Sequence, residues 1–186
     1  MSNRTWNVAV VGAAGMVGTE MIKTLEQRRF PVNELRPLDV AEVAGTPVAF
    51  AGRACSCLEA TEANFAGIDI AIFSAGGDAS LDLAPKAVRQ GAVVIDNSSA
   101  WRMDPAIPLV VSQVNPADLE GHPGIVANPN CPPMQLAPVL MALRASVGLE
   151  RVVVDTHQSG SGPGPGPLAQ PGGQTLAAVS GGHQTA

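Results

Sequence analysis

Apolar residues come in unbroken runs along this chain, separated by short polar or glycine-rich segments. Residues 7–11 (Asn-Val-Ala-Val-Val) form the first run and 68–73 (Ile-Asp-Ile-Ala-Ile-Phe) the clearest. Further runs lie at 92–95, 109–111, 125–127 and 151–158, the last ending in polar residues. Continuous apolar runs read as strands covered on both faces, whereas strands with one wet face alternate. Residues 35–40 read as another strand, and 48–50 and 54–58 as two short ones separated by Gly52. Between the runs, helical periodicity predicts helices over about residues 16–28, 81–90 and 134–144. Strands alternating with helices predict an α/β fold, a Rossmann-like doubly wound and mostly parallel sheet.

The first run ends in Gly12-Ala13-Ala14-Gly15-Met16-Val17-Gly18. Strand, glycine-rich turn and helix open a dinucleotide-binding unit, where glycines let the backbone approach a pyrophosphate and the helix N-terminus attracts its charge. The spacing is GxxGxxG, and a glycine turn without a ligand is the alternative. Asp39 lies near the end of the next predicted strand, roughly twenty residues on, where an acidic residue bonds the ribose 2′-hydroxyl of NAD. A solvated loop aspartate is the other reading. The run at 68–73 ends in Ser74-Ala75-Gly76-Gly77, at the sheet edge where open α/β sheets bind ligands.

The stretch Ala127-Asn128-Pro129-Asn130-Cys131-Pro132-Pro133 joins a buried run to a helix. Proline suits the first turn of a helix, and the residue before a proline is pushed toward extended geometry. Cys131 therefore reads as the cap residue, with its sulfur near the positive end of the helix dipole, where thiols become better nucleophiles. A small buried structural cysteine is the alternative. Cys55 and Cys57 read as ordinary packing. His122, His157 and His183 supply no ligand spacing around them, so no metal site is expected.

Composition narrows the classes further. The chain has 186 residues, 46% of them hydrophobic, enough for one domain with a proper core. Net charge is −5 with no basic block, tyrosine is absent and aromatics make up 3%, which argues against a nucleic-acid surface. No apolar run reaches membrane-spanning length, and the first residues lack the apolar core of a signal peptide. Three cysteines without a secretory signal fit a reducing cytoplasm. Residues 159–186 hold eight glycines, four prolines and no Asp, Glu, Lys or Arg, and are expected to form a disordered tail.

Taken together, "VAVVGAAGMVG", "DIAIFSAGG", "VIDNSSAWRMD", "VVSQVNP", "GIVANPNC" and "RVVVDTHQ" resemble the N-terminal part of bacterial aspartate-semialdehyde dehydrogenases, over about residues 7–164. The resemblance implies reduction of aspartyl phosphate to aspartate semialdehyde with NADPH, through a cysteine thioester, in lysine, threonine and methionine biosynthesis. It implies a homodimer or homotetramer. It also implies residues 1–130 as the dinucleotide-binding domain and 131–158 as the start of an α+β catalytic and dimerisation domain that is cut short. Cys131 falls on the family's nucleophile, Gln158 on its substrate-positioning glutamine and Arg102 on an arginine that holds phosphate. Asn130 stands where an oxyanion donor is needed. Ala14, Gly15, Met16 and Val17 fall on the family's pyrophosphate turn, and Ser161 and Gly162 on a second cofactor contact, while Gly12, Gly18 and Gly76 are the cofactor-binding candidates that the glycine turn and the sheet edge supply.

Three departures stand against that pattern. Pro132 and Pro133 follow the cysteine where the family carries hydroxyl residues, leaving Met134 as the expected remaining N–H donor to a thiolate. Glu42 stands where the family commonly has an arginine for the NADP 2′-phosphate, and Asp39 replaces a small residue nearby, so NAD is expected to bind at least as well as NADP. The family's acid/base histidine and substrate arginine find no match, so the chain reads as an incomplete fragment without turnover. The alternatives are the related N-acetyl-gamma-glutamyl-phosphate reductase and a non-catalytic nucleotide-binding remnant.

Overall fold

The structure, a computed structural model, describes residues 4–156. Strand β1 (Trp6–Val11) leads through the glycine turn into helix α1 (Met16–Gln27), and β2 (Val32–Asp39) follows. A hairpin of β3 (Pro47–Phe50) and β4 (Arg53–Ser56) precedes the short β5 (Leu58–Glu59). Then come β6 (Ile70–Phe73), α2 (Gly77–Arg89), β7 (Val93–Asp96), β8 (Ile125–Ala127) and α3 (Cys131–Val147). Six strands form one sheet in the order β5-β2-β1-β6-β7-β8, with every pair parallel. This is the doubly wound α/β sheet that the apolar runs predict.

The sheet is buried on both faces near its centre, as continuous apolar strands require. Val8, Ala9, Val10 and Val11 are all fully buried. Ala9, Val11, Leu38, Ala71, Phe73 and Val94 meet Leu83, Ala84 and Ala87 of α2, and Phe65 stacks against Phe73. Val8, Val10 and Leu35 meet Ile22 of α1 on the opposite face. The buried positions of α2 are Ser80, Leu83, Ala84 and Ala87, the spacing of a single helical stripe. In the separate hairpin, Phe50 pairs with Arg53 across Ala51 and Gly52, both at positive φ, the turn that matches strand twist.

Several boundaries differ from the sequence expectations. β2 begins at Val32, three residues early, because Trp6 and Asn7 of β1 extend the ladder beyond the apolar stretch. The strand expected at 109–111 is a single bridge between Leu109 and Ala127, flanked by the bonds Val110 N to Ala127 O and Ala127 N to Pro108 O. The strand expected at 151–158 is absent over its described part, residues 151–156. Val152, Val153 and Val154 stand exposed there. A valine-rich run favours extended backbone, but a strand also needs a partner ladder, and among the described residues none reaches it. Helix α3 likewise buries no residue completely, with Val139, Met141, Leu143 and Val147 at the surface. Residues up to Val154 form one compact unit.

Candidate active site

The order of strands reverses about β1, with β2 on one side and β6 on the other. Loops at the carboxyl ends of strands separate at such a point and leave a crevice, the usual ligand site of an open α/β sheet. Two glycines shape it here. A Cβ on Gly12 would lie 2.6 Å from the Ser74 carbonyl oxygen, so only glycine lets the β1–α1 turn meet the end of β6. A Cβ on Gly18 would lie 2.8 Å from the Gly12 carbonyl carbon and 2.9 Å from Ala13 Cα, so α1 is seated directly on its own turn.

Gly15 is the N-cap of α1 and brings no side chain to it. The N–H groups of a first helical turn have no intrahelical partner, so those of Met16, Val17 and Gly18 form a ready anion site. Ala14, Gly15 and Met16 are exposed. Gly76, at φ 87°, caps α2 on the far side, and nothing lies within 4 Å of where its Cβ would be. These features fit a dinucleotide: an uncapped helix end, a turn of bare backbone and an open rim. Asp39 closes the near side. Its Oδ2 accepts from Ala14 N and its Oδ1 from Val40 N, both at 2.9 Å. Glu42 is exposed in the short 3-10 turn (Ala41–Val43) that follows.

The ends of β7 and β8 carry the second group of residues. Arg102 is half-buried, and its Nε donates to Asn128 O while Nη2 donates to Asn97 O, each at 2.9 Å. Asn128 Nδ2 donates to Asn97 Oδ1 at 2.8 Å, tying the two strand ends together. Beneath them the fully buried Asp96 accepts from the Ser98 hydroxyl at 2.6 Å. Trp101 Nε1 donates to the buried Ser80 hydroxyl at 2.9 Å and pins the 97–102 loop onto α2. Sequence reasoning singled out Arg102 but missed Asn97 and Asn128. The signal was a polar run at the end of a buried strand, where side chains brace loops rather than fill the core.

Cys131 is exposed, and the structure corrects its place. Asn130 is the N-cap and Cys131 the first helical residue. The Asn130 Oδ1 accepts from Cys131 N at 2.9 Å. Pro132 and Pro133 have no N–H, and Met134 N donates to Asn130 O at 3.1 Å. The donor expected from Met134 is therefore committed, and no backbone N–H from Cys131 to Met134 is left for the sulfur. Gln158, Ser161, Gly162 and the tail lie outside the described residues. Among the described residues, no group of three or more His, Cys, Asp or Glu could hold a metal ion, and no helix is long and apolar enough to cross a membrane.

The chain is similar to known proteins in sequence and in fold. Residues 7–122 match the family described as semialdehyde dehydrogenase, NAD binding domain. An aspartate-semialdehyde dehydrogenase of Bacillus subtilis is 51% identical over 161 residues, which are 87% of this chain and 46% of that protein. One from Streptomyces akiyoshiensis is 49% identical over 174 residues, 93% of this chain and 50% of its own length. The crystal structure of aspartate semialdehyde dehydrogenase II from Vibrio cholerae superposes with a TM-score of 0.84 at 39% identity, covering 98% of this chain and 55% of that one. The chain thus spans about half the length of the relatives it matches.

Proposed function

Because the chain belongs to the semialdehyde dehydrogenase family and carries its NAD-binding domain, we propose that it serves as the nucleotide-binding and nucleophile-bearing part of an aspartate-semialdehyde dehydrogenase. The carrying observation is the alignment along one sheet edge of an uncapped glycine turn, a braced arginine and an exposed cysteine at a strand-to-helix junction. The Cys131 thiolate attacks the acyl carbon of aspartyl phosphate, the C–O bond to phosphate breaks, and a thioester forms on the sulfur. Sulfur suits both roles, as a strong nucleophile and a workable leaving group.

Arg102 keeps three of its five N–H groups for the phosphate, both of those on Nη1 among them. A planar donor fixed by two carbonyls loses little freedom on gripping an oxyanion. Asn130 spends its Oδ1 on the Cys131 amide, which leaves its Nδ2 to face a developing oxyanion. Gln158 positions substrate, and Ser161 and Gly162 add cofactor contacts. When bound, the reduced nicotinamide supplies the hydride that takes the thioester to the aldehyde. The protein works in the cytoplasm as a homo-oligomer, a reading supported by the apolar surface of α3 and by three free cysteines. Residues 131–158 belong with the catalytic and dimerisation part, and residues 1–130 bind nucleotide.

The test is a chimaera in which this chain's matched residues replace those of the Bacillus subtilis relative. It should reduce nicotinamide nucleotide with aspartate semialdehyde and phosphate, and Cys131→Ala in it should not. A folded chimaera without turnover overturns the proposal. By itself the chain is expected to bind nucleotide without turnover. One observation favours a second reading, nucleotide binding with no catalysis: the spent and missing backbone donors behind Cys131.

A further inference from the structure

The geometry points to Asp39, with Glu42 following it, as the device by which this chain takes NAD(H) in preference to NADP(H). The inference rests on the nucleotide-binding reading above and names the cofactor that the same crevice accepts. Asp39 is the last residue of β2, the strand beside β1, and its carboxylate is hydrogen-bonded to the glycine turn itself through Ala14 N. The second bond, from Val40 N, fixes the other oxygen. Each carboxylate oxygen accepts more than one bond, so a lone pair on each remains for a ribose hydroxyl.

The following segment is equally fixed. Gly45 N donates to Cys57 O at 2.8 Å, Cys57 N to Thr46 O at 2.9 Å, and Ala60 N to Asp39 O at 2.7 Å. These bonds hold the turn bearing Glu42 against the end of β2. A 2′-phosphate brought here would add a nearly doubly charged anion beside Asp39 and near Glu42, and like charges at close range disfavour it. Only a cation would reverse that. The ion pairs among the described residues are Lys23 with Glu20, Arg36 with Glu34, Lys86 with Asp82 and Arg89 with Glu62, and none involves Asp39 or Glu42. The field of Asp39 is felt by its neighbour: burial, and then the Asp39 carboxylate, push the Cys57 thiol up.

The experiment is a binding titration of the full chain with NADH and with NADPH, followed by calorimetry and by nucleotide fluorescence. NADH should bind at least about tenfold more tightly. Asp39→Asn keeps an acceptor for Ala14 N while removing the charge, and Glu42→Arg changes an exposed side chain that takes part in none of the ion pairs above. Each should narrow the gap by about fivefold or more, Glu42→Arg by raising NADPH affinity. Equal or tighter binding of NADPH by the unaltered chain overturns the inference and leaves the nucleotide-binding reading standing. So does a gap that neither substitution moves. Binding of neither nucleotide refutes the nucleotide-binding reading, and the inference with it.

Discussion

Replacing Gly18 by alanine sets two physical effects against each other. Gly18 is the third residue of α1, and in a helix alanine is better than glycine by about 1 kcal/mol. Propensity alone therefore predicts a more stable protein. The structure predicts the reverse. The new Cβ would stand 2.8 Å from the Gly12 carbonyl carbon and 2.9 Å from Ala13 Cα, and nearer still to the Gly12 oxygen. All three are backbone atoms, so no side chain can rotate away. Helix α1 would have to lift from its turn, which draws Ile22 away from Val8, Val10 and Leu35. Overpacking of this kind costs about 1–3 kcal/mol, at least as much as the propensity gain. Gly77→Ala is the matched control. Gly77 opens α2, and its Cβ would meet nothing within 4 Å. Both substitutions remove the same backbone freedom from the unfolded chain, so the difference between them isolates the clash. In urea, Gly77→Ala should gain about 0.4–1 kcal/mol. Gly18→Ala should lose up to about 2 kcal/mol net, lowering the midpoint by up to roughly 1 M at a slope of about 2 kcal/mol/M. Equal stability of the two variants would refute the close seating of α1 on the glycine turn.

Three further outcomes are expected. Iodoacetamide should label exposed Cys131 first, half-buried Cys55 more slowly and buried Cys57 last, as mapped by mass spectrometry; uniform labelling would contradict the packing. The raised Cys57 thiol stays protonated in the folded chain where the unfolded one ionises, so stability should fall as pH climbs through and above the ordinary thiol range. Cys57→Ala should flatten that alkaline slope in thermal melts. Trp101→Phe strips the buried Ser80 hydroxyl of its indole donor and should cost about 1–2 kcal/mol by urea denaturation, with an unchanged midpoint counting against the loop anchor.

The elements around the site are readable from sequence where local pattern and tertiary demand agree. Val8 to Val11 are apolar without interruption because both faces of β1 are covered, and the glycines after them are imposed by contacts at Ser74 and within α1. Cys131 at a strand-to-helix junction is legible for the same reason, since two prolines leave few alternatives there. The failures are of another kind. Val152, Val153 and Val154 have strand propensity, but a ladder is a property of two segments, and the pattern of one segment does not report the other. The cap of α3 shifted by one residue because Asn130 competes for the role with an oxygen that cysteine lacks. Asn97 and Asn128 escaped notice because their backbone carbonyls accept from Arg102 and their side chains pair with each other across 31 residues, which spacing does not encode.

The central place of β1 also governs how the chain emerges during synthesis. β1 is made first, yet in the finished sheet it lies between β2 and β6. The segment Ile70–Phe73 leaves the ribosome some 60 residues after β1. At about 5–20 residues per second, β1 therefore waits roughly 3–12 s with one row of backbone donors and acceptors unpaired. β7 and β8 are then added at the same side, each completing its predecessor and exposing itself. Growth is thus one-directional after β6, and on that side the newest strand is always the one open to pairing with a neighbouring nascent chain.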